Sequence, residues 1–76
     1  MNKKWLKNYI MDALKDHARG NIALHEANIQ VYLDNPAGIG EHSDILEAIQ
    51  GELDKIALHK DRLEILKLTK GVEQDG

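Results

Sequence analysis

The chain is divided by one short stretch, which runs from Asp34 to Asp44 and reads DNPAGIGEHSD. This stretch contains the only proline of the chain and two of its six glycines. The residue before a proline is disfavoured in the helical region, and proline has no N–H to continue a helix, so a helix must end near Asn35. Ser43 suits the N-cap of a following helix, whose first turn then carries an acidic residue. The stretch therefore predicts a turn between two helices.

The segment before this turn carries mostly apolar or small residues at alternating steps of four and three. This heptad seam consists of Leu6, Ile10, Ala13, His17, Gly20, Leu24, Ala27 and Val31. Such steps are typical of an amphipathic helix, and they predict one long helix over about residues 3–34. Glycine in a helix interior costs about 1 kcal/mol relative to alanine, so a kink near Gly20 is compatible with the pattern. An alternative is that the helix breaks there and restarts at Asn21.

A second apolar stripe follows another face of the same segment. It consists of Met11, Ala18, Ile22 and Ile29. Because one partner helix cannot cover two separated stripes, we expect the seam to face the second helix of the hairpin and the second stripe to face a second chain or a third element. The alternative is one broad buried face with scattered exposed apolar residues.

The segment after the turn also has a helical apolar stripe. Its members are Ile45, Leu46, Ile49, Leu53, Ile56, Leu63 and Leu66. The stripe predicts a second helix over about residues 43–70, which ends at Gly71 and leaves residues 71–76 as a flexible tail. Leu58 and Ile65 fall outside this stripe and indicate a second face that contacts another chain.

Folding the chain back at the turn predicts which residues oppose one another. Antiparallel partners then have residue numbers that sum to about 77 or 78, as in 24 + 53 = 77. In this register Leu24 meets Leu53, and Gly20 meets Ala57. Because small residues oppose one another, we expect the two helices to approach closely.

The chain is short for an independent domain. Its 76 residues form at most one domain, residues 1–76, and it has no cysteine that could form a disulfide. Chains of this length bury a modest fraction of their surface. We therefore predict an all-α, antiparallel two-helix hairpin that pairs with a second copy into a dimeric four-helix bundle. The predicted interaction face consists of Met11, Ala18, Ile22, Ile29, Leu58 and Ile65.

Composition and motifs argue against several classes of function. The net charge of −3 argues against nucleic-acid binding, and no apolar run approaches the roughly 20 residues of a membrane span. No signal-peptide core follows the basic start. His25 and Glu26 lack the second histidine of a metalloprotease helix, and paired Glu-x-x-His motifs are absent. We therefore expect a cytoplasmic, non-enzymatic protein with no catalytic residue, metal site or cofactor. His17 is expected to be partly buried beside a carboxylate.

The turn is also the candidate functional hinge of the chain. Its candidate residues are Gly38, Gly40, Glu41 and His42. Two glycines before a helix N-terminus are similar to a phosphate-binding loop, but the preceding strand and the lysine of such loops are absent. The acidic and histidine side chains could instead bind a divalent cation, although their spacing is not that of an EF-hand. A simple connection between helices explains the proline and the glycines, but not Glu41 and His42.

The run from Val31 to Ile49 contains Asn-Pro-Ala-Gly-Ile-Gly-Glu-His at residues 35–42. This run resembles small helical proteins encoded by marine tailed phages, cyanophages among them. A looser similarity continues to Glu64. The resemblance implies a phage setting, hence the host cytoplasm or a virion, and it implies no activity.

These observations favour a self-associating interaction or assembly module that is not an enzyme. One alternative is a small regulator that binds a host protein or a nucleic acid through the turn or the basic start at Lys3, Lys4 and Lys7. Another alternative is a metal-binding hinge protein.

Overall fold

A computed structural model of the chain describes residues 3–35 and 43–69. These residues form two helices, α1 over Lys4–Leu33 and α2 over Ser43–Leu68. The helices run antiparallel, because Asn28 of α1 contacts Glu52 of α2 while His17 contacts His59. The 30 residues of α1 make it about 45 Å long, and α2 lies alongside it. The predicted all-α helical hairpin is confirmed, whereas its pairing into a four-helix bundle stays a prediction.

The ends of the helices agree with the sequence. α1 continues through Gly20 without a break and ends at Leu33, directly before the stretch in which proline requires an end. α2 begins at Ser43 and carries an acidic residue in its first turn and Lys67 in its last turn, as the helix dipole favours. The predicted hinge and the predicted tail lie outside the described residues; they comprise Gly38, Gly40, Glu41 and His42 of the hinge, and residues 71–76 of the tail.

The register of the hairpin is the predicted one. The side chains of His25 and Glu52 meet at 2.9 Å, and their numbers sum to 25 + 52 = 77. The rings of His17 and His59, whose residue numbers sum to one less, also meet across the hairpin.

The faces that meet in this register are not the predicted ones. Leu24 and Leu53, which the seam pairs across the hairpin, are 53% and 51% exposed. A Cβ atom added at Gly20 would meet no atom outside its own helix within 4 Å, among the residues that the structure describes. The predicted close approach of Gly20 to Ala57 is therefore wrong, and the seam of α1 lies along an outer face of the hairpin.

The contact between the helices uses the second stripe of α1, which the sequence assigned to a second chain or a third element. Ala18 is 2% exposed, and Ile56 of α2 is 8% exposed. Three further residues of the stripe are half-buried, namely Met11, Ile22 and Ile29. Only the two α2 members of the predicted interaction face, Leu58 and Ile65, remain exposed. The reason is His25, which lies on the second stripe and finds its hydrogen-bond partner on α2, so a count of apolar residues alone misjudged this face.

Within the described part of the chain, neither helix is both long and apolar enough to span a membrane.

Candidate functional site

Polar side chains meet at the centre of the contact between the two helices. α1 contributes His17 and His25, and α2 contributes Glu52 and His59. The two members on each helix are eight and seven residues apart, about two helical turns, so they recur on one face of their helix. His25, Glu52 and His59 are buried, whereas His17 is exposed at the edge. We refer to these four residues as the histidine cluster.

Glu52 is held by two donors from α1. The His25 Nδ1–H donates to Oε1 of Glu52 at 2.9 Å, and the Asn28 side-chain amide donates to the same oxygen at 2.7 Å. Since a carboxylate can only accept hydrogen bonds, Nδ1 of His25 carries the proton. The hydrogen bond from His25, followed by that from Asn28, lowers the pKa of Glu52 against the opposing effect of burial. Glu52 is therefore an ionised group inside the hairpin.

His59 lies between the other two histidines. Its ring stacks on that of His25 at a centroid distance of 6.0 Å and an angle of 13°, and it meets the ring of His17 edge-on at 6.2 Å. Its Nδ1 atom is buried and has no hydrogen-bond partner among the described residues. Burial lowers the pKa of His59, and the nearby Arg62, His25 and His17 lower it further. This site therefore favours a neutral imidazole.

His17 does not have the predicted environment. Its ring is exposed, and its neighbour across the hairpin is the ring of His59 rather than a carboxylate. The Asn21 side-chain amide donates to the His17 carbonyl oxygen at 2.9 Å and lies 3.3 Å from Nε2 of its ring. His17 therefore closes the outer edge of the cluster.

A groove of about 390 Å³ opens beside the cluster. It is lined by Leu14, His17, Ala18, His59, Arg62, Ile65 and Leu66. A second depression, of about 540 Å³, lies beside Leu53, Ile56, Ile29 and the charged residues Glu26 and Lys60. His59 and Leu53 are three residues after and before Ile56, so the two depressions lie on opposite flanks of the helix contact. The groove beside the histidines is the more apolar of the two.

The cluster does not have the arrangement of a metal centre. Among the described residues, no group of three or more histidine, cysteine or acidic side chains is placed to hold a metal ion. The stacked rings of His25 and His59 agree with this result, because ligand nitrogens have to converge on a single point. The separate hypothesis of a metal at Glu41 and His42 concerns residues outside those that the structure describes.

Comparison of the chain with protein-family models, with curated proteins and with solved structures finds no match.

The histidine cluster was not predicted, although the sequence held a signal for it. The register sum of 77 pairs His25 with Glu52 and places His59 opposite Ala18. Of the four cluster residues, this register therefore indicates the polar pair of His25 and Glu52. The stacking of the rings and the orphaned nitrogen of His59 depend on side-chain conformations that the register does not give.

Proposed function

We propose that the chain is a non-enzymatic assembly module that works by self-association, as a homodimer of hairpins in a four-helix bundle. The observation that carries this proposal is the distribution of apolar side chains. Among hydrophobic residues in the described ranges, only Ala18 and Ile56 are buried. Twelve large hydrophobic side chains in the same ranges are exposed, including Trp5, Tyr9 and Leu24. The single hairpin therefore leaves many large apolar side chains in water, which favours a partner on the outside.

One outer face fits a partner helix best. It consists of Ile10, Leu14, Leu24 and Val31 of α1 with Ile65 of α2, and we call it the seam face. All five side chains are about half exposed or more. Residues 10, 24 and 31 share one line with His17 at heptad spacing, and this line is about 32 Å long. Leu14 and Ile65 continue the face across the groove onto α2.

A second copy of the chain is the occupant that this face favours. A heptad line of apolar residues is the pattern by which α-helices pack along their length, and a second hairpin offers the same line at the same length. The small residues Ala13, Gly20 and Ala27 follow the seam, and the open space at Gly20 leaves room for a partner backbone. Covering the seam face would supply the core that the single hairpin lacks.

Two matched glutamate variants test this assignment. Leu24 lies on the seam face and Leu53 lies on the opposite flank, yet the two are 53% and 51% exposed. We expect the wild-type chain to sediment as a dimer at micromolar concentration, Leu24→Glu to sediment as a monomer, and Leu53→Glu to remain a dimer. Circular dichroism checks that both variants keep their helices. A wild-type chain that is a folded monomer at high micromolar concentration would overturn the proposal, and a monomeric Leu53→Glu variant would move the interface to the other flank.

The setting that we propose for this module is a phage. The support is the resemblance of the region from Val31 to Glu64 to small helical proteins of marine tailed phages. In that setting the dimer would act in the host cytoplasm or within a virion, where it could present its remaining surface to another protein.

A further inference from the structure

We propose that the histidine cluster makes the pairing of α1 and α2 sensitive to acid, so that the hairpin loosens when the imidazole of His59 takes up a proton. This inference concerns the single hairpin and goes beyond self-association. It would hold for a monomer as well as for a dimer.

Three imidazole rings crowd together where the two helices meet. The ring centroids of His17 and His25 lie 6.2 Å and 6.0 Å from that of His59, and the two outer rings belong to α1 whereas the central ring belongs to α2. A positive charge on the central ring would therefore lie against two imidazole rings of the other helix, at a site largely shielded from water. A neutral His59 ring stacks on that of His25 without this cost.

The ring of His59 has few hydrogen-bond acceptors around it in the described ranges. A neutral imidazole carries one N–H, but a protonated one carries two and needs an acceptor for each. Nδ1 of His59 is buried and has no partner among the described residues, so a proton placed on it would create an unsatisfied buried donor. The cost of this unsatisfied donor disappears when the helices separate and water reaches the ring.

The charged groups around the cluster also disfavour a further positive charge. His59 faces His17 and His25 of α1 and has Arg62 on its own helix, while Lys55 lies near Glu52. Glu52 is the carboxylate of the cluster, and His25 and Asn28 already donate to it. A proton on His59 would therefore add positive charge close to Arg62, while the carboxylate of Glu52 is already engaged by His25 and Asn28.

The direction of the effect follows from linkage. The pKa of His59 in the hairpin lies below the ordinary value of about 6.5, so the unfolded chain binds the proton first as the pH falls. The stability that a neutral His59 gives the hairpin is fully present above about pH 6.5, and it is lost as the pH falls below that value. The pKa of Glu52 is also lowered, and its contribution is lost only below about 4.5. The net charge of −3 moves toward zero over the histidine range, so general repulsion would not produce a loss of stability there.

Thermal unfolding followed by circular dichroism tests the proposal. Between about pH 8 and about pH 5.5, the range in which histidine titrates, we expect the Tm of the wild-type chain to fall by about 5 °C, as about a fivefold rise in the unfolding constant would produce. We expect His59→Leu to melt higher than the wild type at both pH values and to lose at least half of this shift. His59→Gln, which keeps a polar side chain, should also lose it. A wild-type Tm that is unchanged at the lower pH, or variants that keep the full shift, would overturn the proposal.

Two further variants separate this inference from the proposed dimer. His42→Gln removes a histidine that lies outside the described residues, and it should keep the full shift. The same melts in the Leu24→Glu background, at one protein concentration, report on the hairpin without the seam contact. If Leu24→Glu is monomeric and keeps the acid shift, both proposals stand. If the wild type is itself monomeric but keeps the shift, the dimer fails and the acid-sensitive hairpin stands.

Discussion

The contact between α1 and α2 is polar at its centre, whereas the seam face is apolar. The usual pattern is the reverse, with the apolar residues inside. The contact inside the hairpin buries a carboxylate and two imidazoles, whereas the outer face carries large aliphatic side chains. Buried hydrogen-bonded groups are sensitive to alignment, because a displaced partner leaves them unsatisfied. Sliding α2 by one heptad would preserve a run of apolar contacts but would separate His25 from Glu52. The polar contact therefore fixes the register, and the apolar face is left for association.

The largest loss of stability is expected from a variant that disrupts the inner contact. Ile56→Ala removes the most buried large apolar side chain described in α2, and we expect it to lower the free energy of unfolding by about 2–4 kcal/mol. Leu53→Ala is the control, since Leu53 precedes it by one turn, is 51% exposed, and should cost less than about 1 kcal/mol. Urea unfolding followed by circular dichroism measures both. Equal losses in the two variants would mean that the structure misplaces the boundary between inside and outside.

A smaller loss of stability is expected when the polar pair of His25 and Glu52 is disrupted, and it tests whether this pair holds the helices together. His25→Leu leaves Glu52 buried with Asn28 as its remaining donor, and Glu52→Leu leaves His25 buried without its acceptor, so we expect each to lower the Tm by about 5 °C or more. The double variant removes both polar groups, and it should melt closer to the wild type than either single variant does. Additive losses across this cycle would show that the pair does not hold the helices together.

The fold was more predictable from the sequence than the site was. Proline chemistry before residue 36 and the heptad steps gave helix boundaries within about two residues, because these signals are local. The register was also predictable, because folding the chain back at its one proline-containing stretch decides which residue numbers oppose one another. The choice of inner face was wrong because His25 scores as polar, although its pairing with Glu52 makes it a buried residue. The distinction depends on a contact 27 residues away along the chain, which the periodicity of one helix does not contain.

The smallest expected effect tests whether the seam face is open in the single hairpin and covered in the dimer. In the monomeric Leu24→Glu background, Gly20→Ala should stabilise the hairpin by about 0.5–1 kcal/mol, because alanine favours the helix and the new methyl group meets no described atom outside α1 within 4 Å. Gly51→Ala is the matched control in α2, where the added methyl group is equally unobstructed within the described residues. In the wild-type dimer the gain from Gly20→Ala should shrink or reverse, since a partner backbone would occupy the space beside the seam. Urea unfolding in both backgrounds measures this difference. An equal gain in both would show that the partner helix does not approach α1 at Gly20.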